Sequence, residues 1–273
     1  MRLGKKKRCN RNCFQKMERK DSQIIYHYTD LNALISILGK NYITLRATNC
    51  LYLNDSNEII EGIESIKRVD NTNISDSAFR SYYLTSFSQQ SDCLSMWGMY
   101  AANGSGCAIG FDLNIISRSY NGFIRCTYGK EQIDDNLRNF LNLIRNGVCT
   151  FFPTNGEPAT TKKNEGKALE DMITNQYIAT CLGSKNENYN FEDEIRCFID
   201  NHDKKKEIHF KVKNGIIIPF LNIEIPKEAL KCIVIGPTNK SQLTMQSIMH
   251  MLSINEYDWR HISLITSKVP YRG

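Results

Sequence analysis

The chain has 273 residues, of which 41% are hydrophobic and 23% are charged, a balance typical of a globular protein that buries a substantial core. No apolar run approaches the roughly 20 residues that a membrane-spanning helix needs, which excludes that class. The basic N-terminus is not followed by an apolar segment, so we predict no secretory signal and interpret the protein as cytoplasmic.

The net charge of +6 is concentrated in one segment. Residues 1–20 carry nine Lys and Arg and one Glu, a balance of +8, which leaves −2 for the remaining 253 residues. We therefore predict a basic tail over residues 1–21 and a single, nearly neutral domain over residues 22–273. Such a tail can attract phosphates or an acidic partner. A solvated and partly disordered N-terminal segment explains this excess of positive charge equally well.

The ten cysteines favour neither a metal site nor disulfides. The close pair, Cys9 and Cys13, lacks the His or second pair that would complete a tetrahedral zinc site, so no metal is predicted. The other eight are scattered along the chain, several among apolar neighbours. We interpret them as buried free thiols in a reducing compartment.

The predicted elements alternate irregularly between strands and helices. In chain order they are a strand at 24–28, a helix at 31–38, a strand at 43–45, a helix around 59–66, a strand at 82–88, a helix at 92–100, a strand at 107–112, helices near 131–146 and 165–182, strands at 194–199, 208–212, 216–220 and 231–236, a helix near 241–253 and a strand at 262–266. Without a steady βαβ order, this pattern favours an α+β fold. The glycine corner Gly104-Ser105-Gly106 follows a helix and precedes a strand, an order that excludes both a Rossmann and a P-loop site.

The segment FEDEIRCFID, residues 191–200, carries the most suggestive charges. On a strand, Glu192, Glu194 and Arg196 would share one face, with the two carboxylates roughly 7 Å apart. That spacing would let one carboxylate hold a substrate hydroxyl while the other deprotonates a nucleophile. The alternative is an exposed charged face on which Arg196 neutralises a glutamate.

Other candidates are weak when taken singly. His27 lies on a strand beside a helix start, where a histidine is commonly a hydrogen-bonded core residue. Ser86 and Ser88 share one face at a strand end. Trp97 and Tyr100 are adjacent on a helix surface, where they either pack in the core or line a pocket for a flat ring. The Tyr100 hydroxyl needs a polar partner.

The order of these motifs is more informative than any one of them. The succession Y-H-Y-T, L-N-D, S-F-S, M-W-x-x-Y, G-x-x-x-G-F-D, E-x-E-x-R and V-P-Y-R resembles a widespread microbial family classified as a domain of unknown function. The resemblance runs from about Ile24 to Arg272. That family is similar to the ADP-ribosyltransferase fold, which implies mixed, antiparallel split sheets flanked by helices. The Ser-Phe-Ser segment departs from the usual Ser-Thr-Ser of that fold.

The resemblance implies an enzyme that uses NAD as its substrate. Glu194 would stabilise the ribose cation, Glu192 would orient or deprotonate the acceptor, and Ser86 or Ser88 would brace Glu194. His27, counted with the two glutamates among the catalytic residues, would hydrogen-bond the adenosine ribose of NAD, and the backbone beside it, at Tyr28, would hold the nicotinamide amide. Trp97 and Tyr100 would line the nicotinamide pocket, and Tyr189 or Phe191 would help to select the acceptor.

The expected activity is transfer of ADP-ribose to a macromolecule, with RNA or DNA slightly favoured over protein. Such an enzyme would serve as a toxin or an anti-phage effector, with a neutralising antitoxin as its protein partner. One alternative is a catalytically silent module that binds a nucleotide or a partner on the same fold. Another is a phosphotransferase that acts on RNA 2′-phosphates.

Overall fold

The computed structural model of the protein describes residues 23–53, 58–120, 122–146 and 162–270. Several sequence-predicted features lie outside these residues: the basic tail 1–21, Cys9, Cys13, Cys149, the Asn54-Asp55 turn and the final Tyr271-Arg272. No helix in the described part of the chain is long and apolar enough to span a membrane.

The helices and strands agree with most of the predicted elements. The described α-helices are α1 (Leu31–Ile37), α2 (Glu58–Asp70), α3 (Leu94–Tyr100), α4 (Leu113–Ser119), α5 (Lys130–Arg145), α6 (Lys162–Gly183) and α7 (Ser241–Ile254). The strands are β1 (Ile24–Thr29), β2 (Ile43–Asn49), β3 (Tyr82–Ser88), β4 (Cys107–Asp112), β5 (Phe123–Arg125), β6 (Thr127–Tyr128), β7 (Ser184–Lys185), β8 (Glu194–Asp200), β9 (His209–Lys213), β10 (Ile216–Ile225), β11 (Leu230–Ile235) and β12 (Ser263–Thr266).

The described residues form two compact units. The larger contains residues 23–53, 79–120, 122–126 and 188–270, and the smaller contains 58–78, 127–146 and 162–187. The expectation of a single domain over residues 22–273 stays a prediction.

The larger unit is built on a mixed, largely antiparallel open sheet. Its main order is β12-β11-β4-β1-β3-β2-β10-β9, and β8 joins it by pairing with β3 and β5. Only β11 and β12 pair in parallel among these described strands. The predicted α+β class, with a mixed sheet and flanking helices, is confirmed.

Strand pairing divides at β3. All seven residues of β3 pair with β8 along one edge. The opposite edge is shared, because β2 pairs with Tyr83 and Leu84 and β1 pairs with Ser88. Thr85, Ser86 and Phe87 therefore lie between the part of β3 that pairs with β2 and the residue that pairs with β1.

Alternate side chains place the main core on one face of this sheet. Buried apolar residues on that face, which we call the core face, pack with α1, α4 and α7; they include Ile25, Leu45, Phe87, Ile109, Ile195, Leu221 and Ile233. The opposite face, which we call the site face, bears Tyr28, Ala108 and Val234, and these pack with Met96 and Trp97 of α3.

The smaller unit consists of α2, α5 and α6 with the parallel β6–β7 pair. Gly62 lets α2 approach α6, since a Cβ atom there would lie 2.4 Å from the Cα of Cys181. Arg68 Nη2 of α2 donates a hydrogen bond to the Asp134 carboxylate of α5 at 2.8 Å. Burial alone would raise the pKa of the Asp134 carboxyl, but the interactions with Arg68 contribute to a pKa below its usual value. Buried Lys185 lies 3.5 Å from Glu58.

Candidate active site

Glu194 begins β8 and forms a buried ion pair with Arg196 on the same face. Arg196 Nε donates to Oε1 of Glu194 at 3.0 Å, and Nη2 donates to Oε2 at 3.0 Å. The Glu194 and Arg196 side chains are only 4% and 2% exposed. The alternative in which Arg196 neutralises a glutamate is confirmed in its pairing, but this face is buried rather than exposed. Two parallel hydrogen bonds hold both carboxylate oxygens in fixed positions.

Glu192 does not lie on the strand, so the interpretation in which both glutamates project from one strand is wrong. Glu192 ends a 3-10 helix (Glu187–Glu192), and β8 begins only at Glu194. Asp193 between them has a φ of 41°, in the left-handed region that is uncommon for residues other than glycine. The backbone turns at Asp193, so different elements position the two carboxylates.

The side chains of Gln89, which follows β3, and of Arg125 in β5 hold the Asp193 turn. The Asp193 carboxylate accepts hydrogen bonds from Gln89 Nε2 and Arg125 Nη2, each at 2.8 Å. The Gln89 backbone N–H also donates to the Asp193 carbonyl at 3.0 Å. Unfavourable backbone conformations persist where the surroundings fix them, as they do here.

Tyr100 links helix α3 to Glu192. Its hydroxyl donates to Oε1 of Glu192 at 2.7 Å, and Glu192 is 3% exposed. The expectation that this hydroxyl has a polar partner is confirmed. Tyr100 and Glu192 are 92 residues apart, so the contact depends on the fold as a whole.

Tyr100→Phe should destabilise the protein by about 1–3 kcal/mol, because a buried carboxylate oxygen loses a donor. Denaturant unfolding measures this loss. The matched control is Tyr42→Phe, since Tyr42 is 49% exposed and its loss should stay within about 0.5 kcal/mol. Equal effects of the two substitutions would mean that the Tyr100 bond contributes nothing to folding.

Of the two serines, Ser88 contacts the glutamate segment. Its hydroxyl donates to the Glu192 carbonyl at 2.5 Å and accepts from the Gln90 backbone N–H at 2.9 Å. Ser88 also stands opposite Glu194 in the β3–β8 register. Ser86 is exposed and stands opposite Arg196. Ser88 therefore braces the backbone before Glu194, whereas the Ser86 side chain is open to solvent.

The structure does not bring His27 to the site face. In the β1–β3 register Tyr26 stands opposite Ser88, so the adjacent His27 projects toward the core face. Its ring packs edge-on against Phe87, with centroids 6.0 Å apart, and its Nδ1 donates to the Ser86 carbonyl at 3.0 Å. Burial lowers the pKa of His27. These contacts match the alternative of a hydrogen-bonded structural histidine.

Trp97 is a core residue of the larger unit. Its side chain is fully buried and packs edge-on against Tyr28, with ring centroids 4.8 Å apart. Trp97 Nε1 donates to the Asp92 carboxylate at 2.7 Å, which also accepts from Ser267 Oγ at 2.5 Å. The core-packing alternative is confirmed for Trp97, because no part of its side chain is open to a ligand.

Tyr28 lies beside Trp97 on the site face. Its hydroxyl donates to the Gln90 carbonyl at 2.9 Å and accepts from the Cys93 backbone N–H at 3.2 Å. Burial raises the pKa of this phenol. Tyr28 thus fixes the chain between β3 and α3 through its side chain.

Sequence reasoning missed Cys126 as a member of this site. Its thiol donates to Oε2 of Glu194 at 3.5 Å, and its backbone N–H donates to the Glu194 carbonyl at 2.9 Å. The two residues are 68 positions apart, so no local motif could reveal the contact. The thiol is buried, as are those of Cys50, Cys107, Cys181, Cys197 and Cys232, as predicted, whereas Cys93 is only partly buried.

Across the described residues, no group of three or more His, Cys, Asp or Glu side chains is arranged to hold a metal ion. The aromatic rings of Tyr189 and Phe191 lie just before the glutamates, with centroids 6.4 Å apart. The polar groups gathered here are the Glu192 and Glu194 carboxylates, the Tyr100 hydroxyl and the Cys126 thiol.

Comparison with known families gives a match to part of the chain. Residues 96–197 match the model of a family described as "Protein of unknown function (DUF2971)", which supports the resemblance to a domain of unknown function. The matched segment runs from α3 into β8 and so includes Tyr100, Glu192, Glu194 and Arg196. No curated protein and no solved structure matches the chain.

Proposed function

We propose that this protein is an NAD-dependent ADP-ribosyltransferase that modifies a macromolecule, preferentially a nucleic acid. The observation that supports it best is the position of Ser88 opposite Glu194 on β8. The nearby Glu192 carboxylate is held by Tyr100. These groups lie beside the point where β1 and β2 share one edge of β3, an arrangement similar to a split sheet.

The proposed reaction breaks the glycosidic bond between C1′ of the ribose and the nicotinamide nitrogen. The bonding electron pair leaves with nicotinamide, and positive charge develops on the sugar as it does in glycoside hydrolysis. A carboxylate fixed beside that charge stabilises the transition state. Glu194 has this role in the proposal, and Arg196 positions its oxygens.

Glu192 is proposed to act on the acceptor. A nucleophilic group of the acceptor forms the new bond to C1′ and loses its proton, which Glu192 accepts as a general base. Tyr100 sets the direction of the Glu192 carboxylate through its 2.7 Å hydrogen bond. The proposal assigns no chemical step to His27, because its ring lies toward the core face.

Incubation with NAD labelled in the ADP-ribose part tests the proposal directly. Separate pools of RNA, DNA and protein are offered as acceptors, and nicotinamide release is measured in parallel. Label on a nucleic-acid pool together with released nicotinamide is the expected result. The absence of both label transfer and nicotinamide release with every pool would contradict the proposal.

Glu192→Ala should shift the reaction from transfer toward NAD hydrolysis, because the acceptor loses its base while Glu194 remains. The measurement is the ratio of ADP-ribose on the acceptor to free ADP-ribose. Tyr100→Phe is the matched comparison, since it disturbs the same carboxylate without removing it, and it should change the ratio less. An equal loss of transfer and hydrolysis in Glu192→Ala would contradict the assigned role.

A catalytically silent binding module is the second candidate, and the Glu194–Arg196 ion pair favours it. A carboxylate that is 4% exposed and bonded twice by one guanidinium is a common structural arrangement. Under this alternative the pair stabilises β8, and the site face binds a nucleotide or partner without reaction.

A further inference from the structure

Cationic side chains gather around one aromatic ring at the β2–β10–β9 end of the sheet. The Arg46 guanidinium lies 5.0 Å from the Phe220 ring centroid, and Lys211 Nζ lies 5.8 Å from it. The His209 ring packs on the same ring at 5.5 Å. Phe220 is 7% exposed, so little of its ring is open to a ligand. We call Arg46 and Lys211, which flank this ring together with the imidazole of His209, the cation cluster.

Neither Arg46 nor Lys211 has a carboxylate partner among the residues that the structure describes. Lys211 instead donates to the Thr48 hydroxyl at 3.3 Å. Burial and the nearby charges of Arg46 and Lys213 lower the pKa of Lys211. Accumulated positive charge of this kind is stabilised when an anion binds beside it.

The cation cluster lies on the site face. Thr48 stands opposite both Phe220 and Leu84, and Leu84 shares its face with Ser86 two residues later. The strand pairing thus connects the cluster to the proposed catalytic face through β2 and β3. A ligand held by the cations would extend along the same face toward Ser86.

The positive groups form a row rather than a single point. Lys211 and Lys213 occupy alternate positions along β9, which spaces them by roughly 7 Å on one face. Arg46 extends the row across β10 to β2. Such a row exceeds the length of one diphosphate and suits successive phosphates of an extended chain, to which Lys and Arg bind through charge.

We infer that the cation cluster binds the phosphate backbone of a single-stranded nucleic acid. The inference deepens the proposed function, on which it rests only in identifying this nucleic acid as the acceptor. Binding itself requires neither NAD nor Glu194. The two can therefore be tested separately.

The test is binding of labelled single strands of DNA and RNA, about 16 nucleotides long, to the full chain without NAD. Fluorescence anisotropy gives Kd between about 50 and 200 mM salt. Arg46→Gln with Lys211→Gln removes two charges and keeps polar side chains. The matched control is Arg118→Gln with Lys240→Gln. Both cations are exposed, Arg118 within α4 and Lys240 directly before α7.

The cluster variant should bind single strands more weakly, and its slope of log K against log salt should be smaller by about 1.4, the value for two lost phosphate contacts on a single strand. The control should keep the original slope. An unchanged slope in the cluster variant would overturn the inference, as would an equal change in the control. Weaker NAD binding with unchanged oligonucleotide binding would overturn it too, because the cations would then serve the NAD diphosphate.

The same assay on Glu194→Gln separates this inference from the proposed function. Retained binding of single strands by that variant, together with no NAD cleavage by the unaltered chain, would contradict the transferase and leave the nucleic-acid site supported. NAD cleavage by the unaltered chain, together with an unchanged salt slope in the cluster variant, would support the transferase and contradict the nucleic-acid site.

Discussion

Glu194→Gln is expected to lower the rate of NAD cleavage by a factor of about 100 or more. The substitution removes the negative charge beside the developing ribose cation, and loss of one major electrostatic contact typically has an effect of this size. The measurement is nicotinamide release at saturating NAD. Wild-type turnover by the variant would contradict the assignment of Glu194.

The same substitution also affects folding, because Glu194 pairs with buried Arg196. Removing one partner of a buried ion pair leaves an uncompensated charge and costs about 3–5 kcal/mol. Activity must therefore be compared at a temperature at which each variant is folded, as judged by circular dichroism and denaturant unfolding.

Arg196→Met is the matched control, since it breaks the same ion pair but keeps the carboxylate. If Glu194 is catalytic, this variant should keep more NAD cleavage than Glu194→Gln at equal loss of stability. The double variant, Glu194→Gln with Arg196→Met, contains neither buried charge and should recover stability without activity. Equal activity losses in the two folded single variants would favour the silent binding module.

The main elements of the sheet could be predicted from apolar alternation, but several strand lengths could not. The predicted strand at 216–220 continues to Ile225, with Leu221, Ile223 and Ile225 buried in alternation. Pro219 lies inside this strand, although proline cannot donate a hydrogen bond to a sheet. It is tolerated because it pairs only with Phe210 of β9, before the pairing with β2 begins at Phe220.

Other elements left weak sequence signals. The helix α4 (Leu113–Ser119) follows β4 without a break, and only Leu113 and Ile116 of it are buried. Strands β5 and β6 have three and two residues, too few for alternation to appear. These elements depend on pairing with distant segments, as β5 does with β8.

The candidate site was predictable only where its partners are close in sequence. The Glu194–Arg196 pair follows from their i and i+2 positions on a strand. The turn at Asp193 could not be predicted, because the alternation in Glu192-Asp193-Glu194 is typical of a continuous strand, whereas Asp193 has a positive φ. Contacts from Tyr100 to Glu192 and from Cys126 to Glu194 join residues far apart in the chain, so they require the folded structure.

The glycine corner after α3 was predictable, and the structure gives its physical reason. Gly104 has a φ of 85° and follows two residues that also have positive φ. Gly106 is needed for close approach instead, because a Cβ atom there would lie 2.2 Å from the Thr29 carbonyl oxygen and 2.9 Å from that of Ala101. The corner thus holds the end of α3 against β1.

Gly106→Ala should destabilise the protein by about 3 kcal/mol or more, because the added methyl group meets backbone atoms that cannot rotate away. Gly98→Ala is the matched control, since Gly98 lies within α3 and an added Cβ atom there meets nothing within 4 Å. That substitution should stabilise the protein by about 0.5–1 kcal/mol through helix propensity. Denaturant unfolding measures both.

Because Gly106 sets the distance between α3 and β1, its substitution should also displace Tyr100 from Glu192 and reduce transfer to the acceptor more than NAD cleavage. Equal stability of the two variants would mean that the backbone around Gly106 yields to the methyl group, and the corner would then have no role in positioning Tyr100.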